Sequence, residues 1–124
     1  FRHIGVNLIG YVDSVQPYLN RAGIYISPLF VGGGIRIKIL EAMAMKLPVI
    51  ATTVAAEGIN AGIDSGLFIC DTADQFFRAI SDLMQNPEKR DSLGESARLY
   101  VIENHSWEKN VALMLEEYRR LAQH

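Results

Sequence analysis

Short apolar runs alternate along the chain with longer segments of helical periodicity. Four of the runs have the length and composition of buried strands, and each is followed by a turn or a helix signal. An alternation of strands and helices is typical of an α/β fold with a parallel sheet, joined by right-handed crossovers. We therefore predict a Rossmann-like parallel sheet flanked by helices, with strands at residues 6–12, 23–28, 48–53 and 67–70.

The first two predicted helices have clear start and stop signals. Asp13 or Ser14 can cap a short helix that tolerates Pro17 in its first turn. A second helix is predicted over residues 35–47, because Leu, Met, Ala and Glu propagate it and Pro48 stops it.

The segment after the third strand, residues 54–66, is rich in glycine and small residues and is predicted to be a loop with at most one short helix. A helix capped by Asp71 or Thr72 should follow the fourth strand and run through Met84.

Two further helices close the chain. Asn86 and Pro87 are a cap and a first-turn proline, so a helix should run from there to about Glu103. Ser106 should cap the last helix, whose apolar face includes Trp107. Three closing helices exceed what so small a sheet needs, so we expect this last helix to pack on a domain that the chain does not contain.

Composition narrows the class of protein. The chain has 124 residues, 49% of them hydrophobic, which suits a single core. Its net charge of −2 gives no sign of a nucleic-acid surface. Its one cysteine, Cys70, excludes an internal disulfide and a cysteine-based zinc site and is consistent with a reducing compartment. No apolar stretch reaches the roughly 20 residues that span a bilayer.

A run of three glycines, Gly32, Gly33 and Gly34, stands directly before the second predicted helix. Glycine backbone can approach a ligand closely, and the N–H groups and dipole of a helix start attract phosphate. A flexible loop with glycines for a sharp turn is equally compatible with the glycines alone. The run is neither a Walker A loop nor the dinucleotide fingerprint, because no Gly-Lys-Ser/Thr follows and Ile37 replaces the third glycine.

Arg36 and Lys38 follow the glycines. They lie about 200° apart on an ideal helix, so both can serve one diphosphate only if Arg36 belongs to the loop or the first turn. Surface cations are the alternative, but positive charge at a helix start opposes the dipole and calls for an anion. We therefore favour phosphate binding.

Glu41 lies one turn after Lys38, on a helix that is otherwise apolar around it. A surface ion pair with Lys38 is one interpretation. The apolar surroundings favour another, because a carboxylate on a mostly buried helix needs partners, and the paired hydroxyls of a sugar are suitable ones.

Other polar residues have weaker signals. The three histidines form no ligand spacing, and His105 is expected to cap the last helix or to pack near the preceding one. Glu57 and Gly58 follow a strand and either face a ligand or form a turn with a solvated neighbour.

The segment SPLFVGGGIRIKILEAMAMKLPVIATT, residues 27–53, closely resembles the group 1 (family 4 type) glycosyltransferases. That family has a glycine-rich loop, a helix reading Glu-Ala-Met-Ala, and Gly-x-Pro-Val-Ile-Ala-Thr. Upstream IGYVDSVQPYLNRAGIYISP, downstream GLFICDTADQFFRAISDLM and the later HSW also match. The resemblance implies a GT-B enzyme, in which two Rossmann-like domains enclose the active site and the C-terminal domain binds the nucleotide-sugar donor.

The resemblance also implies roles for the site residues. Glu41 would bind the ribose hydroxyls, and the glycine loop with the N–H groups of Gly34, Ile35 and Arg36 would meet the diphosphate or the sugar. Arg36 or Lys38 would neutralise the leaving diphosphate, so neither a metal nor a cofactor is expected. The reaction would be retaining transfer of a hexosyl group to an unknown acceptor, with the catalytic groups unassigned.

The chain departs from the family pattern in two places. Gly33 stands where the first of two glutamates is usual, which places the chain in a subgroup with the form Gly-Gly-Gly-x-Arg-x-Lys and weakens any inference about the sugar. Lys46 and Leu47 replace the glycine that is common before the proline.

The resemblance implies that residues 1–124 are a single partial domain, lacking the first strand–helix units and the N-terminal domain. We expect the full-length protein to be the transferase and this chain alone to be inactive. The expected partners are a nucleotide sugar, the absent N-terminal domain and a glycan or lipid-linked acceptor, with no nucleic acid. The expected setting is polysaccharide biosynthesis in the cytoplasm, with peripheral contact to the inner face of the membrane left open. The alternative is a non-catalytic, Rossmann-like nucleotide-binding module.

Overall fold

A computed structural model describes residues 6–30, 35–105 and 119–120. Within these residues three short strands alternate with helices, where the sequence pattern predicts four strands. They are α1 (Gln16–Arg21), β1 (Tyr25–Ser27), α2 (Ile35–Ala44), β2 (Val49–Ala51), a 3-10 turn (Ile63–Ser65), β3 (Leu67–Ile69), α3 (Ala73–Gln85) and α4 (Pro87–Asn104).

The three strands form one parallel sheet in the order β1-β2-β3. In its register Ile50 lies between Ile26 and Phe68. The central strand β2 is buried along its whole length, as expected for a parallel sheet covered on both faces. The predicted α/β class with a parallel sheet flanked by helices is confirmed.

Successive side chains of the central strand enter different cores, because strand side chains alternate between the two faces. Val49 and Ala51 join a core with α2 and α4, which also holds Met43 and Ala97. Ile50 joins a second core with residues of α3. Helices α2 and α3 therefore cover opposite faces of the sheet.

Helix α4 packs closely on the C-terminal turn of α2. At the buried Gly94, an added Cβ would stand 2.1 Å from the carbonyl oxygen of Lys46. One turn further on, the Arg98 guanidinium donates to the carbonyl oxygen of Ala44 at 3.0 Å. This hydrogen bond satisfies one of the carbonyls that the end of a helix leaves without an intrahelical partner.

The second predicted helix ends earlier than Pro48 requires, at Ala44. The N–H of Lys46 bonds to the carbonyl of Met43, and that of Leu47 bonds to the carbonyl of Ala42. This pair is the Schellman pattern, in which one residue adopts a left-handed conformation that usually belongs to glycine. Lys46 holds that position with φ 67°, which explains why glycine is common there in the family.

Replacing Lys46 by glycine should stabilise the protein by about 0.5–1 kcal/mol, since left-handed backbone costs an L-residue more than glycine loses in unfolded-state entropy. The ion pair that the change removes, to Glu95 at 3.2 Å, joins two side chains more than half exposed and contributes little. Chemical denaturation measures the change. Lys46→Ala is the control, because it removes the same ion pair and keeps the strained backbone. A gain as large in Lys46→Ala would contradict this explanation.

The prediction of a strand over residues 6–12 is wrong. These residues are irregular, and Leu8 and Tyr11 are 75% and 91% exposed. A strand exists only where its backbone finds a neighbour. Among the described residues β1 pairs with β2 alone, so residues 6–12 do not pair with its open edge and do not form a strand.

The remaining helix starts agree with the sequence in most respects. Helix α1 forms with Pro17 in its first turn. Val15 holds the N-cap position, and the predicted Ser14 contributes its hydroxyl, which accepts from the N–H of Gln16 at 3.3 Å. Thr72 caps α3 in a reciprocal capping box with Gln75, and Asn86 precedes α4. The 3-10 turn lies in the predicted loop of residues 54–66.

The predicted last helix, with its cap Ser106 and Trp107, lies outside the described residues, except that Arg119 and Arg120 are helical. The expectation that this helix packs on another domain therefore stays a prediction. No helix in the described part of the chain is long and apolar enough to cross a membrane.

Candidate functional site

The carboxyl ends of the three strands meet at one edge of the sheet, where ligands usually bind in open parallel sheets. Buried Thr52 follows β2 and joins two of the loops there. Its hydroxyl donates to the carbonyl of Leu29 after β1 and accepts from the N–H of Ala55 at 3.1 Å. Its own N–H donates to the carbonyl of Ser27 at 3.2 Å. Thr52 therefore holds the start of the loop that leads to the glycines.

The loops after β2 and β3 are also joined. The hydroxyl and N–H of Thr53 donate to the two carboxylate oxygens of Asp71, at 2.6 Å and 2.9 Å. These hydrogen bonds favour the charged form and hold the pKa of Asp71 below its ordinary value. The edge is thus a set of mutually bonded loops and not three separate turns.

The N-terminus of α2 begins at this same edge, because α2 follows β1. Gly32, Gly33 and Gly34 lie outside the described residues, so their contacts stay a prediction. Ile35 is the first residue of α2, which places Arg36 in the first turn. The first N–H groups of a helix have no intrahelical partner and carry its positive end.

Arg36 is partly buried, and its side chain runs past Gly58 toward His105. Its side chain lies over Gly58, where an added Cβ would stand 3.4 Å from the Cδ of Arg36. Its guanidinium lies 3.2 Å from Nδ1 of His105, just after α4. Gly58 has φ +86°, a backbone conformation that suits glycine and makes room for this side chain.

Lys38 and Glu41 lie on a different side of α2 from Arg36. Lys38 is exposed, and its charge favours ionisation of Glu41. Partial burial of Glu41 has the larger effect and raises its pKa above the ordinary value. Burial raises the pKa of Tyr25 on β1, and the charge of Glu41 raises it further.

No hydrogen bond or ion pair within the described residues holds the Glu41 carboxylate. A half-buried carboxylate without a hydrogen bond from any described residue is suited to accept hydrogen bonds from a ligand. The structure thus places Lys38 and Glu41 near each other and directs Arg36 toward α4.

Three residues that contribute to this region were not assigned to it from the sequence. Thr52 lies within the strand-end motif, but the pattern gives no sign that its hydroxyl bonds across to Leu29. Gly58 was predicted either to face a ligand or to form a turn, and its positive φ agrees with the turn. His105 lies 69 residues from Arg36 in sequence, a separation that periodicity cannot bridge.

Among residues 6–30, 35–105 and 119–120, no group of three or more His, Cys, Asp or Glu side chains could hold a metal ion. The region combines a helix N-terminus, two cations and the half-buried carboxylate of Glu41. Such a set can bind a ligand that carries both anionic oxygens and hydroxyl groups.

Comparison with known proteins supports a transferase. An uncharacterized glycosyltransferase of Methanocaldococcus jannaschii is 27% identical over 121 residues, covering 94% of this chain and 30% of the relative. A glycosyltransferase 1 domain-containing protein of Xenopus tropicalis is 36% identical over 76 residues, covering 60% of this chain and 22% of the relative. The chain thus spans less than a third of the length of either relative. No solved structure matches it.

The model of the family described as glycosyl transferases group 1 matches residues 2–86, which is more than half of the chain. That range includes the sheet, α2 and both cations. The chain belongs to the group 1 glycosyltransferases.

Proposed function

We propose that this chain carries the donor site of a transferase that moves a hexosyl group from a nucleoside-diphosphate sugar to an acceptor with retention of configuration. The observation that carries the proposal is the half-buried carboxylate of Glu41. It lies in the second turn of a helix whose N-terminus is at the carboxyl edge of the sheet.

Glu41 has a specific role in this proposal. Its partial desolvation costs free energy that no protein hydrogen bond within the described residues offsets. Two adjacent ribose hydroxyls can donate to the two carboxylate oxygens and supply that offset when the donor binds. Charge-assisted hydrogen bonds of this kind contribute about 1.5–3 kcal/mol each.

The donor diphosphate is assigned to the N-terminus of α2. The N–H groups of Ile35 and Arg36 lie in its first turn, and glycines 32–34 directly precede it. Arg36 and Lys38 add two positive charges, which would stabilise the diphosphate as the bond to the sugar breaks. A site that neutralises the leaving group in this way works without a metal, and no other cofactor is assigned to it.

The whole enzyme is proposed to need more than this chain. The chain spans 30% and 22% of the two relatives' lengths, which supports a second domain that binds the acceptor. A glycan or a lipid-linked acceptor and a cytoplasmic site of action belong to the same proposal. The resemblance to the Gly-Gly-Gly-x-Arg-x-Lys form within GT-B enzymes supports the assignment of the cations.

A titration of the full natural protein with UDP, GDP and ADP tests the proposal. We expect one of the three to bind, and Arg36→Ala and Glu41→Ala each to weaken that binding by about tenfold, or roughly 1.4 kcal/mol. Isothermal titration calorimetry measures both changes. Turnover of the matching nucleotide sugar then separates a transferase from a non-catalytic nucleotide-binding module.

Matched controls exist on the other helices. Arg78 on α3 and Glu88 in the first turn of α4 are exposed, so Arg78→Ala and Glu88→Ala should leave nucleotide affinity unchanged. If neither Arg36→Ala nor Glu41→Ala weakens binding relative to these controls, the site assignment is wrong.

A further inference from the structure

His105 is a buried polar residue that has no role in the donor site as proposed above. It is 5% exposed, at the C-terminal end of α4, and its Nδ1 lies 3.2 Å from a terminal nitrogen of Arg36. Its ring also packs edge-on against Tyr100, with ring centroids 5.3 Å apart. Two contacts therefore hold the imidazole in one orientation.

The chemistry of the two groups determines the direction of the hydrogen bond. A guanidinium remains protonated in proteins and can only donate. Nδ1 of His105 must therefore accept, which requires a neutral ring with its proton on Nε2. A proton on Nδ1 would direct an N–H at the cation and break the contact.

The contact between Arg36 and His105 lies close enough to the proposed donor site to affect how tightly the ligand binds. Arg36 is in the first turn of α2, and its side chain lies along Gly58 before it reaches His105. An arginine side chain has several rotatable bonds, and ordering them when a ligand binds costs affinity. A contact that orders the side chain beforehand removes part of that cost.

We infer that His105 is a positioning residue for Arg36, holding the guanidinium at the N-terminus of α2 for the diphosphate of the donor. The inference rests on the proposed donor-binding role of Arg36. His105 does not touch the ligand in this account and acts only through the arginine. A guanidinium has five N–H donors, so it can bond to His105 and to phosphate oxygens together.

A double-mutant cycle tests the inference on the full natural protein, with the nucleoside diphosphate that binds most tightly among UDP, GDP and ADP. His105→Phe keeps an aromatic ring against Tyr100 and removes only the acceptor, so it should weaken binding about fivefold. His105→Asn places an oxygen at the position of Nδ1 and should recover affinity to within about twofold of the original protein. In the Arg36→Ala background, His105→Phe should have no further effect.

The outcomes separate this inference from the proposed function. If Arg36→Ala weakens binding but His105→Phe does not, His105 is not a positioning residue and the donor site stands. Equal effects of His105→Phe with and without Arg36 would also overturn the inference, because its action would not pass through the arginine. If Arg36→Ala itself has no effect, the inference fails, and the donor-site assignment fails with it only if Glu41→Ala also leaves binding unchanged. If His105→Phe does not fold, His105→Leu replaces it in the same double-mutant cycle, because leucine also lacks a hydrogen-bond acceptor.

Discussion

The Gly94→Ala variant is expected to lose about 3 kcal/mol of its free energy of unfolding, the upper part of the range for overpacking a tightly packed site. The added methyl group would stand 2.1 Å from the carbonyl oxygen of Lys46 and 2.9 Å from its carbonyl carbon. Both atoms are backbone, so neither can rotate away as a side chain would. Helix α4 would have to separate from α2.

Thermal or chemical unfolding measures this change, and the unfolding midpoint should fall by about 10 °C. Gly62→Ala is a matched control, because an added Cβ there meets nothing within 4 Å and its backbone is extended at φ −126°. That variant should differ by less than about 0.5 kcal/mol. A Gly94→Ala protein as stable as the control would show that α4 and α2 do not approach as closely as described.

The Glu41→Gln variant should bind the nucleoside diphosphate up to about tenfold more weakly, no more than Glu41→Ala, because glutamine keeps one acceptor oxygen but loses the charge that strengthens the hydrogen bonds. The same variant should be more stable than the original protein at neutral pH. Partial burial penalises the Glu41 charge and raises its pKa, and glutamine has the size of the carboxylate without that charge. Opposite changes in affinity and stability are the mark of a residue kept for binding.

The stability gain of Glu41→Gln should depend on pH in a defined direction. Because the folded pKa is raised, the folded state holds the proton up to a higher pH than the unfolded state does. The original protein therefore loses stability as pH rises from the ordinary glutamate value of 4.5 through the raised value. The advantage of glutamine should be complete above the raised pKa and absent well below 4.5.

Unfolding midpoints of the two proteins across about pH 3 to 8, without ligand, measure this difference. Glu88→Gln, at an exposed position in the first turn of α4, is the control and should give no gain in stability at neutral pH. A Glu41→Gln variant that is less stable at neutral pH would mean that the carboxylate has a structural partner. It would argue against a role in ribose binding.

The local sequence pattern was sufficient to predict most of the strands and helices. Apolar runs at β1, β2 and β3 and caps such as Thr72 predict the elements within a few residues, because strand burial and helix capping depend on near neighbours in sequence. The same reasoning placed Arg36 at a helix start and Glu41 on its apolar body. It failed at residues 6–12, because an apolar run becomes a strand only where its backbone pairs with a neighbour, and the run alone does not determine that pairing.

The end of α2 shows a second kind of limit. Pro48 correctly indicates that the helix stops, but the left-handed turn at Lys46 and the approach of Gly94 decide where. The approach joins residues 48 positions apart, and no periodicity in either segment records it. The family's preference for glycine before the proline was the one local sign of that turn.

The α/β class, the helix that carries Arg36, Lys38 and Glu41, and the family were all readable from residues close together in the chain. Tertiary structure decided how those side chains are used. It turned Arg36 toward Gly58 and His105, left the Glu41 carboxylate half-buried, and joined the strand-end loops through Thr52. Sequence spacing sets the angle of a side chain around its own helix, whereas burial and hydrogen-bond partners depend on segments that only folding brings together.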